Sequence, residues 1–405
     1  MYDEVTIGAR LRTLRRWRGM TLAQLAGQSG LSTSFLSMAE RGQRSLDRRS
    51  HIAALAAALK VSETELTGAP HLGHDPAQSD PHLRIPAIRA ALQTSTLTEP
   101  SCERARPLPE LVAELEQIEP AHQACDYLAV GEVLPDLMDE LHLHVAEPQD
   151  ERAHAVALKA LVHACVIATF MSKDLGHNDL GHLAAVRADH AAAFLDDPVQ
   201  KAISAFLRIH TAPRAGSWDR TLRMAERAAS DLQPHTTDPR AIEVCGMLTL
   251  SASLSAAVLH KGDTSTHWMG QADELAARIP DTPEANWMSF SSTNVAVWKV
   301  AVAVENGAAG GSVLTLANKV NVDRLGDKRG RRASYMADVG RGLARDPKTR
   351  GEAVRWLREA EETAPQWIRN SAPVREAVAV MLEQAKVAVG GRELRGMAAR
   401  MGVSH

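Results

Sequence analysis

Thr33, Ser34, Ser37 and Met38 fall on one side of a predicted helix, Thr33 to Glu40, and Arg41 and Arg44 follow it directly. These residue types fit contact with a nucleic-acid duplex. Short hydroxyl side chains reach base edges and read them ambiguously, and a methionine can touch a thymine methyl or simply pack. Long arginine side chains leave a groove and meet phosphate. Thr21 and Gln24, at the start of the preceding predicted helix, complete the candidate DNA-contact set. Arg15, Arg16, Arg48 and Arg49 are further phosphate candidates, which a solvated charged face explains equally well.

Catalytic chemistry has no comparable support. No H-E-x-x-H, P-loop or G-x-S-x-G occurs in the chain. Gly340-Arg341-Gly342 opens a G-x-G-x-x-G but lacks the third glycine and a preceding strand. His71, His74 and His82 have no Cys or acidic ligand at a recognised spacing, so no metal and no cofactor is expected. His177 and His182 read as local hydrogen-bonding groups. The basic run Arg324, Lys328, Arg329, Arg331, Arg332 reads as a solvated loop, with an extra DNA or partner contact as the other option. The four cysteines show no C-x-x-C spacing, and Cys165 and Cys245 lie in apolar helical stretches as buried thiols would.

The elements that position the DNA candidates are five short helices. Ile7, Leu11 and Leu14 follow the spacing of one helical face. Thr21 with Gln24 forms a capping box that opens the second helix. Gly30 ends that helix, because the turn needs a residue that tolerates positive φ. Ser32 caps the third, with Phe35, Leu36 and Ala39 inward. A fourth runs from about Arg48 to Leu59, and Ser62 with Glu65 caps a short fifth. Ala26, Gly30 and Leu36 have the spacing of a helix-turn-helix, whose second helix enters the major groove.

The stretch GMTLAQLAGQSGLSTSFLSMAERGQRS resembles the phage-repressor-like XRE family, including Glu40-Arg41-Gly42 after the recognition helix. The resemblance covers about residues 6–67 and implies a double-stranded DNA operator as partner. Leu22 stands where that family often has Gln, so one contact usual there is missing.

Seven of the 19 prolines fall between Pro70 and Pro109, which predicts an extended connector over 68–107 with one short helix near Pro86 to Leu92. From Leu108 to residue 405 the chain reads as amphipathic helices. Segments starting at Ala188, Ala225, Ala272, Ala317 and Ala360 recur at intervals of 37, 47, 45 and 43 residues. A period near forty with two helices per unit predicts a tetratricopeptide-like helical solenoid. The segments SFSSTNVAVWKVAVAVENG and EAVRWLREAEETAPQWIRNSAPVREAV resemble those of actinobacterial regulators with an XRE head and a tetratricopeptide-like body. The layout is also similar to that of peptide-sensing quorum regulators of Gram-positive bacteria.

That resemblance implies a ligand site on the concave face, lined by the first helix of each repeat. In the fifth unit this helix is expected at about Glu284 to Val304, carrying Trp287, Asn294 and Trp298. Asn294 is the first candidate, since peptide-sensing relatives hold a peptide backbone with asparagine amides, which both donate and accept. Tyr335 and Asp338 are expected to face the same groove.

Residues 1–67 hold ten Lys/Arg against six Asp/Glu, whereas the remainder holds 36 against 43, so a basic head sits on an acidic body. The N-terminal MYDEVTIGARLRTLRR has no apolar core of a signal peptide. The apolar stretch Val156 to Met171 is short for a bilayer and contains Lys159 and His163. The expectation is an all-α cytoplasmic protein that is no enzyme and uses no membrane: a five-helix head over 1–67, a linker over 68–107 and a solenoid over 108–405. It would act as a transcriptional regulator, a homodimer responding to a peptide or small-molecule effector. The alternative is a plasmid or phage maintenance repressor whose repeats are a scaffold without ligand.

Overall fold

The computed structural model describes residues 6–68, 80–212, 218–282, 287–385 and 391–403. All regular elements among them are helices. The head contains α1 (Ile7–Trp17), α2 (Leu22–Ser29), α3 (Thr33–Glu40), α4 (Arg49–Leu59) and α5 (Glu63–Thr67). Its caps follow from the sequence: Thr21 with Gln24 and Ser62 with Glu65 both form capping boxes, and Ser32 accepts the Phe35 N–H. Leu11, Leu25, Leu36, Leu46, Leu55 and Leu66 fill a separate small core.

The body begins earlier than composition suggested. From Asp80 the expected linker is structured. Helix α6 (Ile85–Thr94) buries Ile85, Ile88, Ala91 and Leu92 in the body's core. The short helix expected near Pro86 to Leu92 is α6, with Pro86 in its first turn, where the missing N–H costs nothing; what composition did not show is that its apolar face packs into the body. His71 and His74 lie outside the described residues. Two long helices follow, α7 (Leu108–Gln123) and α8 (Tyr127–Ala146).

Helical pairs then succeed one another: α9 (Glu151–Asp174) with α10 (Asn178–Ala193), α11 (Pro198–Thr211) with α12 (Trp218–Leu232), and α13 (Pro239–Val258) with α14 (Gly262–Ala276). Next come α15 (Ser292–Glu305) with α16 (Gly311–Ala317), and α17 (Arg329–Ala344) with α18 (Arg350–Thr363). The chain closes with α19 (Pro365–Asn370), α20 (Ala372–Ala385) and α21 (Arg392–Arg400). The first helix of each pair also packs on the first helix of the next, which lays α9, α11, α13, α15, α17 and α20 side by side as one layer. The recurring alanines have a clear job. Ala188, Ala225, Ala272, Ala317 and Ala360 all lie on the second helices and are at most 4% exposed, so each sits at a close helix contact that a larger side chain would open.

Two helices, Glu151–Asp174 and Pro239–Val258, are long and apolar enough to cross a membrane by composition, but 72% and 94% of their apolar windows are buried inside the protein. They are core helices of the inner layer.

Candidate functional site

Helix α3 presents Thr33 and Ser34 fully to solvent at its N-terminal end, and Thr21 and Gln24 at the start of α2 are exposed beside them. Leu36 and Ala39 anchor the opposite face, and Gly30 turns between the two helices at φ 69°. Helix α1 crosses so closely that a Cβ on Gly8 would lie 2.0 Å from the Ala39 carbonyl oxygen. Ser37 is half-buried, and its Oγ accepts from Arg41 Nη1 at 3.1 Å, while Arg41 Nε donates to Gln43 Oε1 at 3.1 Å. Arg41 and Arg44 are exposed at the end of α3, and Met38 is half-buried. The DNA candidates therefore form one open surface, with short polar groups in front and arginines behind.

The weaker phosphate candidates separate. Arg15 grips both oxygens of Glu40 at 2.6 and 2.8 Å and donates to the Met20 carbonyl at 2.8 Å, so it ties α1 to α3. Arg49 pairs with Glu305 of the body at 2.7 Å, and Arg48 is half-buried against Gly307. Arg16 alone of the four stays exposed.

Residues 6–67 match the family model described as a helix-turn-helix domain. They form a helix-turn-helix domain. Over 62 residues the chain is 44% identical to a Bacillus subtilis (strain 168) protein named uncharacterized HTH-type transcriptional regulator RghRB, which covers 15% of this chain and 45% of that protein. The chain thus spans less than half the length of this relative. No solved structure matches.

The helix-turn-helix domain docks on the inner layer of the body through the start of α1, the loop after α3 and the start of α4. Arg341, 3% exposed, is the hub. Its Nη1 lies 2.7 Å from Asp338, its Nη2 3.3 Å from Glu305, and its guanidinium also donates to the Asp47 carbonyl. Arg345 reaches the Asp47 carboxylate at 2.7 Å. Burial opposes the charge on Asp47, but Arg345 and Arg341 outweigh it and hold its carboxyl below the usual range. A second dock is Glu376 on α20, which accepts the N–H groups of Ile7 at 3.0 Å and Leu46 at 3.2 Å. Burial pushes its carboxyl up to about 7, against those two hydrogen bonds. Sequence reading missed all of these. The available signal was a carboxylate or arginine at an apolar helical position, which needs a partner from elsewhere.

Between domain and body lies a cavity of about 370 Å³. Arg49, Ile52, Glu63, Thr64 and Thr67 wall it on the DNA-binding side, and first helices of the pairs wall it on the other. Of the five ligand candidates, Trp298 and Asp338 line this cavity. Trp287, Asn294 and Tyr335 do not. Trp287 packs edge-on to Phe206 with Arg240 over its ring, in a different groove. Asn294 is fully buried; its Nδ2 faces Met247 Sδ at 3.5 Å and the Met288 carbonyl at 3.4 Å. The expected helix began near Glu284, partly outside the described residues, whereas α15 begins at Ser292 and is capped by Ser291. That shift puts Asn294 in a first turn, facing α13. Tyr335 is buried between helices, donating to the Ala317 carbonyl at 3.0 Å and lying edge-on to Trp356. The basic run divides: Arg324 and Arg329 are exposed, Arg324 with Asp281 3.7 Å away, whereas Arg331 lines the cavity. His82 packs against His177 across 3.1 Å, and no metal-binding group occurs among the described residues.

Proposed function

We propose that this chain is a cytoplasmic transcriptional regulator that reads an operator with α3 and senses a peptide or small-molecule effector in the cavity under its helix-turn-helix domain. The observation that carries the reading is the two-sidedness of the domain. Its DNA-contact residues are open to solvent, while α4 and α5 of the same domain wall a cavity against the body. Anything bound there touches the element that positions α3, so ligand and operator are coupled through one docking contact.

The protein acts as a homodimer on a pseudo-palindromic site. A single short recognition helix buries too little surface for tight specific binding, and two-fold regulators read half-sites about one helical turn apart. Thr33, Ser34, Ser37 and Met38 meet base edges, Thr21 and Gln24 support them, and Arg41 and Arg44 hold phosphates.

The test is selection of genomic fragments bound by the full-length protein, with and without spent culture extract, and light scattering of the bound species. Enrichment of a two-fold site, a mass of two protomers, and an affinity that moves with extract support the reading. A defined protein partner without any extract response supports the scaffold alternative instead.

A further inference from the structure

The charged side chains lining the cavity are nearly all matched. Lys173 lies 3.1 Å from Asp174, Arg49 2.7 Å from Glu305, and Asp338 2.7 Å from Arg341. Arg331 differs. Among the described residues its guanidinium makes no ion pair and no hydrogen bond, and its Nε is a buried donor without a partner. What it has is the face of Trp298, 5.3 Å from its Cζ. Asp338 acts on it through charge alone and is itself paired with Arg341 at 2.7 Å, so the guanidinium over the indole has no anion in contact.

A second group points the same way. Trp298 is 4% exposed, lines the cavity, and its Nε1 has no acceptor. Trp218, 7% exposed, also lines the cavity with an unmatched Nε1. Guanidinium and indole N–H groups only donate, so the missing partner is an acceptor. Around them the Phe206 ring lies tilted against His210 with centroids 4.2 Å apart, Phe170 is tilted against the same ring, and Trp298 meets it edge-on. These rings form an apolar, flat-sided box.

We infer that Arg331 anchors the oxyanion, a carboxylate or phosphate, of a small organic molecule whose planar or apolar body lies in the aromatic box. The inference rests on the effector-site reading of the cavity and gives it a ligand class. The fork of a guanidinium matches such an oxyanion in two parallel hydrogen bonds, and the volume is that of a small-molecule site. Burial, then Lys173, Arg331 and Arg49, push the His210 ring down to about 3, so it stays neutral and supplies no competing charge. Burial pulls Arg331 down to about 10, which leaves it charged at neutral pH.

The probes are 8-anilinonaphthalene-1-sulfonate, an aromatic oxyanion, and N-phenyl-1-naphthylamine, the same body without the sulfonate. Both are titrated by fluorescence into full-length wild type, Arg331→Gln and Arg331→Lys. The inference expects the sulfonate to bind wild type at least tenfold more tightly than Arg331→Gln, with Arg331→Lys in between and the neutral probe changed less than twofold. Equal sulfonate affinity in wild type and Arg331→Gln overturns it, as does equal loss of both probes. A thermal melt of each variant identifies misfolding. If Arg331→Gln fails to fold, the wild-type preference for sulfonate over neutral probe and the Arg331→Lys titration decide the matter by the same criteria. Operator affinity is measured in parallel. Anion binding at Arg331 without any change in operator affinity keeps the anion site and removes the sensor reading. A response to neutral extract fractions alone keeps the sensor reading and removes the anion site.

Discussion

Asp47 of the helix-turn-helix domain and Arg345 of the body lie 298 residues apart in the chain and 2.7 Å apart in space. Asp47 is 2% exposed, and Arg341 closes over it from the other side. Asp47 sits in the loop that leads from α3 into α4, so the docking contact adjoins the proposed DNA-contact helix within one short segment.

Asp47→Ala leaves Arg345 and Arg341 facing each other without their shared carboxylate, although Arg341 keeps Glu305 and Asp338. Removing one partner of a buried pair costs about 3 kcal/mol or more. The urea midpoint should fall with an unchanged slope, and the domain should become easier to cleave from the body. A midpoint equal to that of wild type contradicts this account of the dock.

On the DNA face, Arg44→Ala should weaken binding about equally on all sequences and lower the salt slope by about one, as loss of one phosphate contact does. Thr33→Ala and Ser34→Ala should instead alter sequence preference, because those hydroxyls stand free at the front of α3. Ser37→Ala should do less, since its hydroxyl is occupied by Arg41. Measuring each variant against a randomised-site library separates these outcomes.

The helix-turn-helix domain was legible because its signals are local. Capping boxes, Gly30 and the Leu36 plug all act within a few residues, and each is where the sequence put it. The helical body was legible through Ala188 and its four counterparts, since a small residue recurs wherever paired helices touch. The cavity was not legible, because its walls come from segments hundreds of residues apart. Asn294 shows the limit: moving a helix start by several residues turned a groove candidate into a core side chain. Asp47, in a loop, looks like a surface charge until Arg341 is placed beside it, whereas Arg341 showed only that an arginine at an apolar helical position needs some partner.

Glu376 makes the dock pH-sensitive. Its folded carboxyl is raised to about 7, above the value of 4.5 in an unfolded chain. A raised acid contributes its stability in full below the unfolded value and loses it as pH climbs through the folded one. Docking stability should therefore fall between about pH 4.5 and 7 and level off above, by up to roughly 3 kcal/mol. Asp47 adds to the rise and Arg375 opposes it. Glu376→Gln removes this titration, so the difference in melting temperature between wild type and Glu376→Gln should itself change with pH over that window. A constant difference from pH 4.5 to 8 refutes the assignment.

The last prediction concerns coupling. Thr64 is on α5, walls the cavity from the domain's side, and lies on a different helix from the DNA contacts. A ligand that touches both walls binds the docked arrangement better than any arrangement with the domain displaced. Only that difference in affinity can shift the population, and a tenfold change in operator affinity requires about 1.4 kcal/mol of it. Thr64→Trp places a large ring where ligand would sit and leaves Thr33, Ser34 and Arg44 untouched. The operator affinity of this variant should stop responding to effector, and its ligand-free value should move toward that of liganded wild type, because the indole fills the same gap between the same walls. Asn294→Leu is the control. Its side chain does not line the cavity but packs behind Met247 and Met288, which do, so the variant should keep a response to effector where Thr64→Trp loses it. Operator titrations of wild type, Thr64→Trp and Asn294→Leu, each with and without extract, make the comparison. If Thr64→Trp responds to extract as wild type does, the cavity is not the site through which effector reaches the DNA-binding helix.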